Sequence, residues 1–190
     1  MPSKETPMTR STIIRSVSVF ALALTLIALY FLSHLPSGPP VPEDLFTRRF
    51  VDEGGLATTL EKWKGRPVVL NFWATWCQPC IAEMPELQRE QEQLSPVGVD
   101  IVGINTEDAS TLREFRSRNA SLRLPFLAGD SDLSGLLFAL GDTQGALPYT
   151  VLVSADGRVL RTQLGRLSPG ELSLWVRREH LDRRSVLAPG

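Results

Sequence analysis

Pro67-Val68-Val69-Leu70-Asn71-Phe72-Trp73-Ala74-Thr75-Trp76-Cys77-Gln78-Pro79-Cys80 contains both cysteines of the chain, and its reading decides the fold. Pro67 to Trp73 reads as a buried strand. A helix is expected from Cys77 to about Leu94. Pro79 falls in its first turn, where proline is tolerated, and Pro85 falls inside it, where it should kink the axis. Cys77 then stands at a helix N-terminus, where the positive end of the dipole favours a thiolate. A disulfide spanning two residues has little loop entropy to gain. The spacing suits a bond that opens and closes, and a Cys-x-x-Cys beside a strand–helix pattern is a redox signature.

The segments around this stretch complete an α/β pattern. Phe46 to Trp63 is expected to hold a small strand pair around Gly54-Gly55 and a helical turn over Leu56–Trp63. Gly98–Asn105 reads as a second apolar strand, Ser110–Asn119 as a helix, Leu124–Leu127 as a short extended piece and Asp132–Leu140 as a further short helix. Tyr149–Ser154 and Arg158–Gln163 read as strands joined by the hairpin turn Ala155-Asp156-Gly157. Ser168 is expected to cap a last helix to about Leu181. Strand–helix–strand–helix, then a hairpin and a helix, implies three layers around a mixed sheet. The two central strands should be parallel, with a right-handed crossover. The cysteines then lie at the carboxyl end of a strand, where open α/β sheets place their sites.

The chain has 190 residues, of which the first forty or so do not read as globular. The rest is the size of one domain. A net charge of −1 implies no pull toward nucleic acid. With two histidines, His34 and His180, besides the two cysteines, no metal site is expected.

Lys4, Arg10 and Arg15 precede a stretch without charge from Ser16 to Leu35. Twenty helical residues span roughly 30 Å, the thickness of a bilayer core. Basic residues before it and Glu43-Asp44 after it place the N-terminus inside. No small-x-small cleavage site follows, which favours an uncleaved anchor over a signal peptide. The expected organisation is a cytoplasmic N-terminus over 1–15 and a transmembrane anchor over 16–35. A stiff Pro/Gly/Ser linker follows over 36–44, then one domain over 45–184 and a tail over 185–190. The domain faces a compartment that permits disulfides.

Asn71-Phe72-Trp73-Ala74-Thr75-Trp76-Cys77-Gln78-Pro79-Cys80, followed by Glu83, Met84, Pro85 and Leu87, resembles the thioredoxin-like family. Within it, the chain resembles the membrane-anchored TlpA/ResA-type thiol–disulfide oxidoreductases. Leu147-Pro148-Tyr149-Thr150 with Asp156-Gly157 resembles the family's second signature, a cis-proline loop, strand and turn. The similarity runs over about residues 45 to 182. It implies a thioredoxin-like three-layer α/β fold with a central mixed β-sheet, preceded by one N-terminal transmembrane helix. It also implies a cis peptide before Pro148, with Cys77 as attacking nucleophile and Cys80 as resolving thiol. Asn71 stands where cytoplasmic thioredoxins usually carry a buried aspartate, which leaves Glu83 as the nearest carboxylate in sequence.

The chemistry expected is thiolate attack on a substrate disulfide, a mixed disulfide, and release by the second thiol. Cys77 should be exposed and Cys80 shielded. Trp76 should offer a flat apolar rim, and the backbone of Leu147 should pair with an extended substrate segment. Pro79, Pro148, Asn71 and Glu83 complete the set of substrate-binding or tuning residues. No cofactor is expected beyond the Cys77–Cys80 disulfide. The resemblance implies a single-pass protein of the bacterial cytoplasmic membrane with a periplasmic domain. It implies a membrane thiol electron donor and protein disulfide substrates such as apocytochrome c, in cytochrome c maturation. Two other functions fit the same cysteines: a copper chaperone, because soft thiolates suit Cu(I), and a thioredoxin-like binding module with an inert disulfide.

Overall fold

The computed structural model describes residues 22–30, 38–129 and 133–187. Residues 22–30 form a helix whose apolar side chains, Leu22, Leu24, Leu26, Ile27 and Leu29 among them, are exposed. The rest of the expected anchor over 16–35 lies outside the described residues. Among the described residues, no helix is long and apolar enough to cross a membrane.

From residue 38 the chain folds around one seven-stranded sheet of order β2-β1-β5-β4-β3-β6-β7. The strands are β1 (Phe50–Asp52), β2 (Ala57–Thr58), β3 (Val68–Trp73), β4 (Asp100–Asn105), β5 (Phe126–Gly129), β6 (Tyr149–Val153) and β7 (Val159–Leu164). β3 and β4 are parallel, as expected, and β5 is parallel to β4, while β1, β6 and β7 run antiparallel to their neighbours. The helices are α1 (Gln78–Leu94), α2 (Ala109–Arg118), α3 (Leu133–Ala139) and α4 (Glu171–Leu187).

All six residues of β3 are buried, so both of its faces must be covered. Val68, Leu70 and Phe72 pack with α3 and with Leu45, Phe46, Phe50 and Trp63 of the N-terminal segment. Val69 and Trp73 alternate to the opposite face. There they meet Cys80, Met84 and Leu87 of α1, Leu112 of α2 and Trp175 of α4. Two helical layers thus enclose the sheet. The buried positions of α1 are Cys80, Glu83, Met84, Leu87, Glu90 and Leu94, the i, i+3, i+4 stripe of a helix against a core. Two of them are carboxylates. Glu90 accepts from the N–H and hydroxyl of Ser173 on α4, which partners its buried charge.

Several boundaries differ from the sequence expectation. The helical turn before β3 is a 3-10 turn over Glu61–Trp63 only. The extended piece starts at Phe126 rather than Leu124, because Pro125 has no N–H to give a ladder. The last helix starts at Glu171, since Gly170 has φ +78° and ends the preceding turn, and it continues to Leu187. Ser168 still meets that helix, its N–H donating to the Glu171 carboxylate. Gly38 to Val41 lie against the β6–β7 hairpin. The Val159 N–H donates to the Pro39 carbonyl at 2.9 Å, and the Val41 N–H donates to the Gly157 carbonyl at 3.0 Å. A Cβ on Gly38 would stand 2.0 Å from the Val159 oxygen, so only glycine fits there.

Candidate active site

The site is assembled at the carboxyl end of β3. Ala74, Thr75 and Trp76 leave the strand, the Cys77 N–H donates to the Ala74 carbonyl at 3.1 Å, and α1 begins at Gln78. Cys77 is the N-cap of α1, and its sulfur accepts the Cys80 N–H at 3.3 Å. Pro79 lies in the first turn, where its missing N–H costs nothing. Cys77 and Cys80 form a disulfide with an S–S distance of 2.02 Å.

Cys77 was expected exposed and Cys80 shielded, but in the disulfide form Cys77 is 4% exposed and Cys80 1%. The N-cap geometry explains the difference, because a Cys77 sulfur turned inward to the Cys80 N–H is drawn under the helix tip. Trp76 instead stands out, 68% exposed. The peptide between Leu147 and Pro148 is cis, as the resemblance implied. Leu147 packs against the cluster that contains both cysteines.

Behind Cys80 lies a buried polar network. Asn71, the one polar residue of β3, shares the face of Val69 and Trp73 and meets α1. Its amide donates to Glu83 Oε1 at 2.9 Å and to Thr150 Oγ1 at 3.0 Å. The Leu167 N–H donates to Glu83 Oε2 at 3.1 Å. Glu83 is 1% exposed and lies three residues beyond Cys80 on the same face of α1. Burial holds the Glu83 carboxyl above the usual carboxylate range, against the Asn71 and Leu167 hydrogen bonds and the charge of Arg166.

The structure therefore brings Trp76, Cys77, Pro79, Cys80, Leu147, Pro148, Asn71 and Glu83 to one end of the sheet. The sequence reading missed Thr150 and Leu167, which complete the Glu83 network. It also missed Phe138, which is 67% exposed and shares a groove of about 610 Å³ with Trp76, Leu147 and Asp142. Phe138 did carry a signal. Leu133, Leu136 and Leu137 make the core stripe of α3, with Leu140 just past its end, and Phe138 is an aromatic off that stripe.

A family model described as "AhpC/TSA family" matches residues 41–162, more than half of the chain. The chain belongs to the AhpC/TSA family, within the thioredoxin-like group. Among relatives of this AhpC/TSA chain is the thiol:disulfide interchange protein DsbE of Pseudomonas aeruginosa, 33% identical over 80% of this chain and 93% of the relative. The thiol–disulfide oxidoreductase ResA of Geobacillus thermodenitrificans is 26% identical over 94% of this chain and 97% of the relative. Among solved structures, a secreted Mycobacterium tuberculosis disulfide oxidoreductase described as homologous to E. coli DsbE aligns with a TM-score of 0.58. It is 26% identical and covers 72% of this chain and 99% of that one. The protein is a thiol–disulfide oxidoreductase acting through disulfide exchange.

Proposed function

We propose that the protein is a membrane-anchored, extracytoplasmic reductant of protein disulfides. The observation that carries this reading is a buried carboxyl, Glu83, one helical turn behind a Cys77–Cys80 disulfide whose first sulfur caps α1. In the reduced protein the helix N-terminus favours the Cys77 thiolate. That thiolate attacks a substrate disulfide. One substrate sulfur leaves as a thiolate and takes a proton from solvent, and the other remains in a mixed disulfide with Cys77. Cys80 then gives its proton to the Glu83 carboxylate and attacks the Cys77 sulfur. The substrate leaves with both sulfurs reduced, and the Cys77–Cys80 disulfide holds the oxidation. A dithiol protein of the membrane resets it.

A Glu83 whose carboxyl titrates above the usual range suits a proton acceptor that must release its proton in each cycle. Trp76 and Phe138 flank a groove beside Leu147. The exposed aromatic faces suit an extended polypeptide with apolar residues around its disulfide. The resemblance read from the sequence makes an apocytochrome c, in cytochrome c maturation, the substrate to test first. The uncharged stretch over 16–35, with Lys4, Arg10 and Arg15 before it, and the secreted relative support an extracytoplasmic site.

Cys80→Ser should accumulate a mixed disulfide between Cys77 and a disulfide peptide, visible by mass spectrometry, whereas Cys77→Ser should accumulate none. A mixed disulfide trapped on Cys80 in Cys77→Ser, with none in Cys80→Ser, would reverse the assignment.

A further inference from the structure

Three residues, Ala74, Thr75 and Trp76, connect β3 to the capping cysteine, and their conformation decides where Cys77 stands. Thr75 gives both of its donors to one carboxylate, that of Glu107 on the segment leaving β4. Its N–H donates to Oε2 and its hydroxyl to Oε1, the latter at 2.9 Å. The carboxylate is itself fixed. Asn105, fully buried at the end of β4, accepts the Glu107 N–H at 2.8 Å, and its amide donates to Glu107 Oε2 at 3.4 Å. One residue earlier than Glu107, the Thr106 N–H donates to the Trp73 carbonyl at 2.9 Å. The ends of β3 and β4 and the redox loop are thus tied together, and the tie to the loop itself runs through Glu107.

These donors to the carboxylate are all neutral. They hold the carboxylate in place without cancelling its charge. Thr75 is two residues before Cys77, which puts that charge on the order of 10 Å from the nucleophile. A like charge at that range still disfavours a thiolate, though more weakly than one in contact. It opposes the helix N-terminus, and in doing so disfavours the reduced form.

We propose that Glu107 is a positioning residue that sets the reactivity of Cys77, clamping the loop through Thr75 and holding negative charge against the thiolate. The proposal rests on Cys77 as the attacking thiol. Other charged groups near the helix tip are Glu83, Arg166, whose guanidinium donates to the Ala82 carbonyl at 3.2 Å, and the Glu114–Arg118 ion pair of α2, which lines a groove with Thr75 and Gln78. Asp108 caps α2 by accepting the Thr111 N–H, and its hydrogen bonds from Ser110 and Thr111 hold it below the usual carboxylate range against a smaller opposing effect of burial. All of these are unchanged in the variants below.

Glu107→Gln separates the two effects. An amide oxygen still accepts the Thr75 N–H, and the Thr75 hydroxyl accepts from the new amide as readily as it donates. The clamp stays and the charge goes. The experiment follows the rate of Cys77 alkylation by iodoacetamide in the reduced protein from pH 5 to 9, with the labelled residue identified by mass spectrometry. In Glu107→Gln the midpoint should move to lower pH, and the rate below the midpoint should rise at least threefold, with an unchanged melting temperature. Glu107→Ala loses the clamp as well. Its rate of attack on a disulfide peptide should fall at least fivefold, and Glu107→Gln should restore it.

A Glu107→Gln profile within twofold of wild type overturns the role of the charge. A Glu107→Ala protein that attacks at the wild-type rate overturns the clamp. If Glu107→Ala does not fold, the Glu107→Gln profile decides alone. First labelling at Cys80 overturns the assignment of Cys77 and leaves a distinct signature from either result.

Discussion

Asn71→Asp is the substitution whose outcome the buried network fixes most tightly. The Asn71 amide is 1% exposed and donates to Glu83 at 2.9 Å and Thr150 at 3.0 Å. An aspartate has nearly the same shape but puts an oxygen where that amide nitrogen stands, about 2.9 Å from a second carboxylate. At an effective dielectric of about 20, two charges at that distance repel by roughly 6 kcal/mol. The pair escapes most of this by sharing one proton, which makes an O–H donor between them. At low pH the cost should therefore be small, roughly 1 to 2 kcal/mol. At pH 8 it should reach about 3 to 5 kcal/mol as the proton is lost or held against the solvent. The sign follows from proton counting. Over the range where the folded pair keeps a proton that the unfolded carboxylates, near 4, have lost, stability falls as pH rises, by about 1.4 kcal/mol per unit. Wild-type Glu83 is shifted upward too, so its stability slopes the same way, over a narrower range because Asn71 supports its ionised form. Urea unfolding of both proteins at pH 5.5 and 8 measures the gap. It should be at least 1.5 kcal/mol wider at pH 8. An equal gap, or one wider at pH 5.5, would refute the Asn71–Glu83 hydrogen bond as the reason for asparagine here.

Gly103→Ala in β4 should destabilise by about 1 to 3 kcal/mol in urea unfolding, because its Cβ would lie 2.4 Å from the Phe126 ring, which is itself packed against Trp73. A chain starting at residue 42 instead of 37 loses the Pro39 and Val41 backbone bonds and the Arg158 contact to Gly38. At about 1 kcal/mol each, and about 2–4 °C per kcal/mol for this size, it should melt roughly 6–12 °C lower while still folding. Phe138→Ala should leave thermal stability unchanged, since the ring is exposed. It should raise KM for a polypeptide disulfide several-fold and leave glutathione disulfide untouched, and an equal effect on both substrates would place Phe138 outside the substrate groove.

Local signals carried far. β3 was readable because a run apolar at every position but Asn71 has few alternatives, and Cys77, Pro79 and Cys80 follow it at a spacing that a helix start explains. The Gly157 turn and the two strands around it were equally local. What was not readable depends on register. Asn71 meets Thr150 because β3 and β6 pair Asn71↔Thr150, a relation across 79 residues that no local pattern encodes. The same holds for Thr75 and Glu107, and for Leu167 and Glu83. Cys77 misled for a different reason. Sequence places it at a helix tip, but only the N-cap hydrogen bond shows the sulfur turned inward.

The reduction potential of the Cys77–Cys80 couple, measured by equilibrating the domain with glutathione buffers at pH 7, tests the central claim most directly. Gln78 and Pro79 add no charge to favour a Cys77 thiolate, and the carboxylates of Glu83 and Glu107 oppose it, so only the helix N-terminus and the Arg166 cation favour it. Each unit of thiolate stabilisation that is missing relative to a strong oxidase lowers the potential by about 30 mV. The account predicts a value at or below roughly −180 mV. A value near −120 mV, that of a strong oxidant, would contradict the reductant assignment, and a disulfide that never equilibrates with glutathione would contradict redox exchange itself.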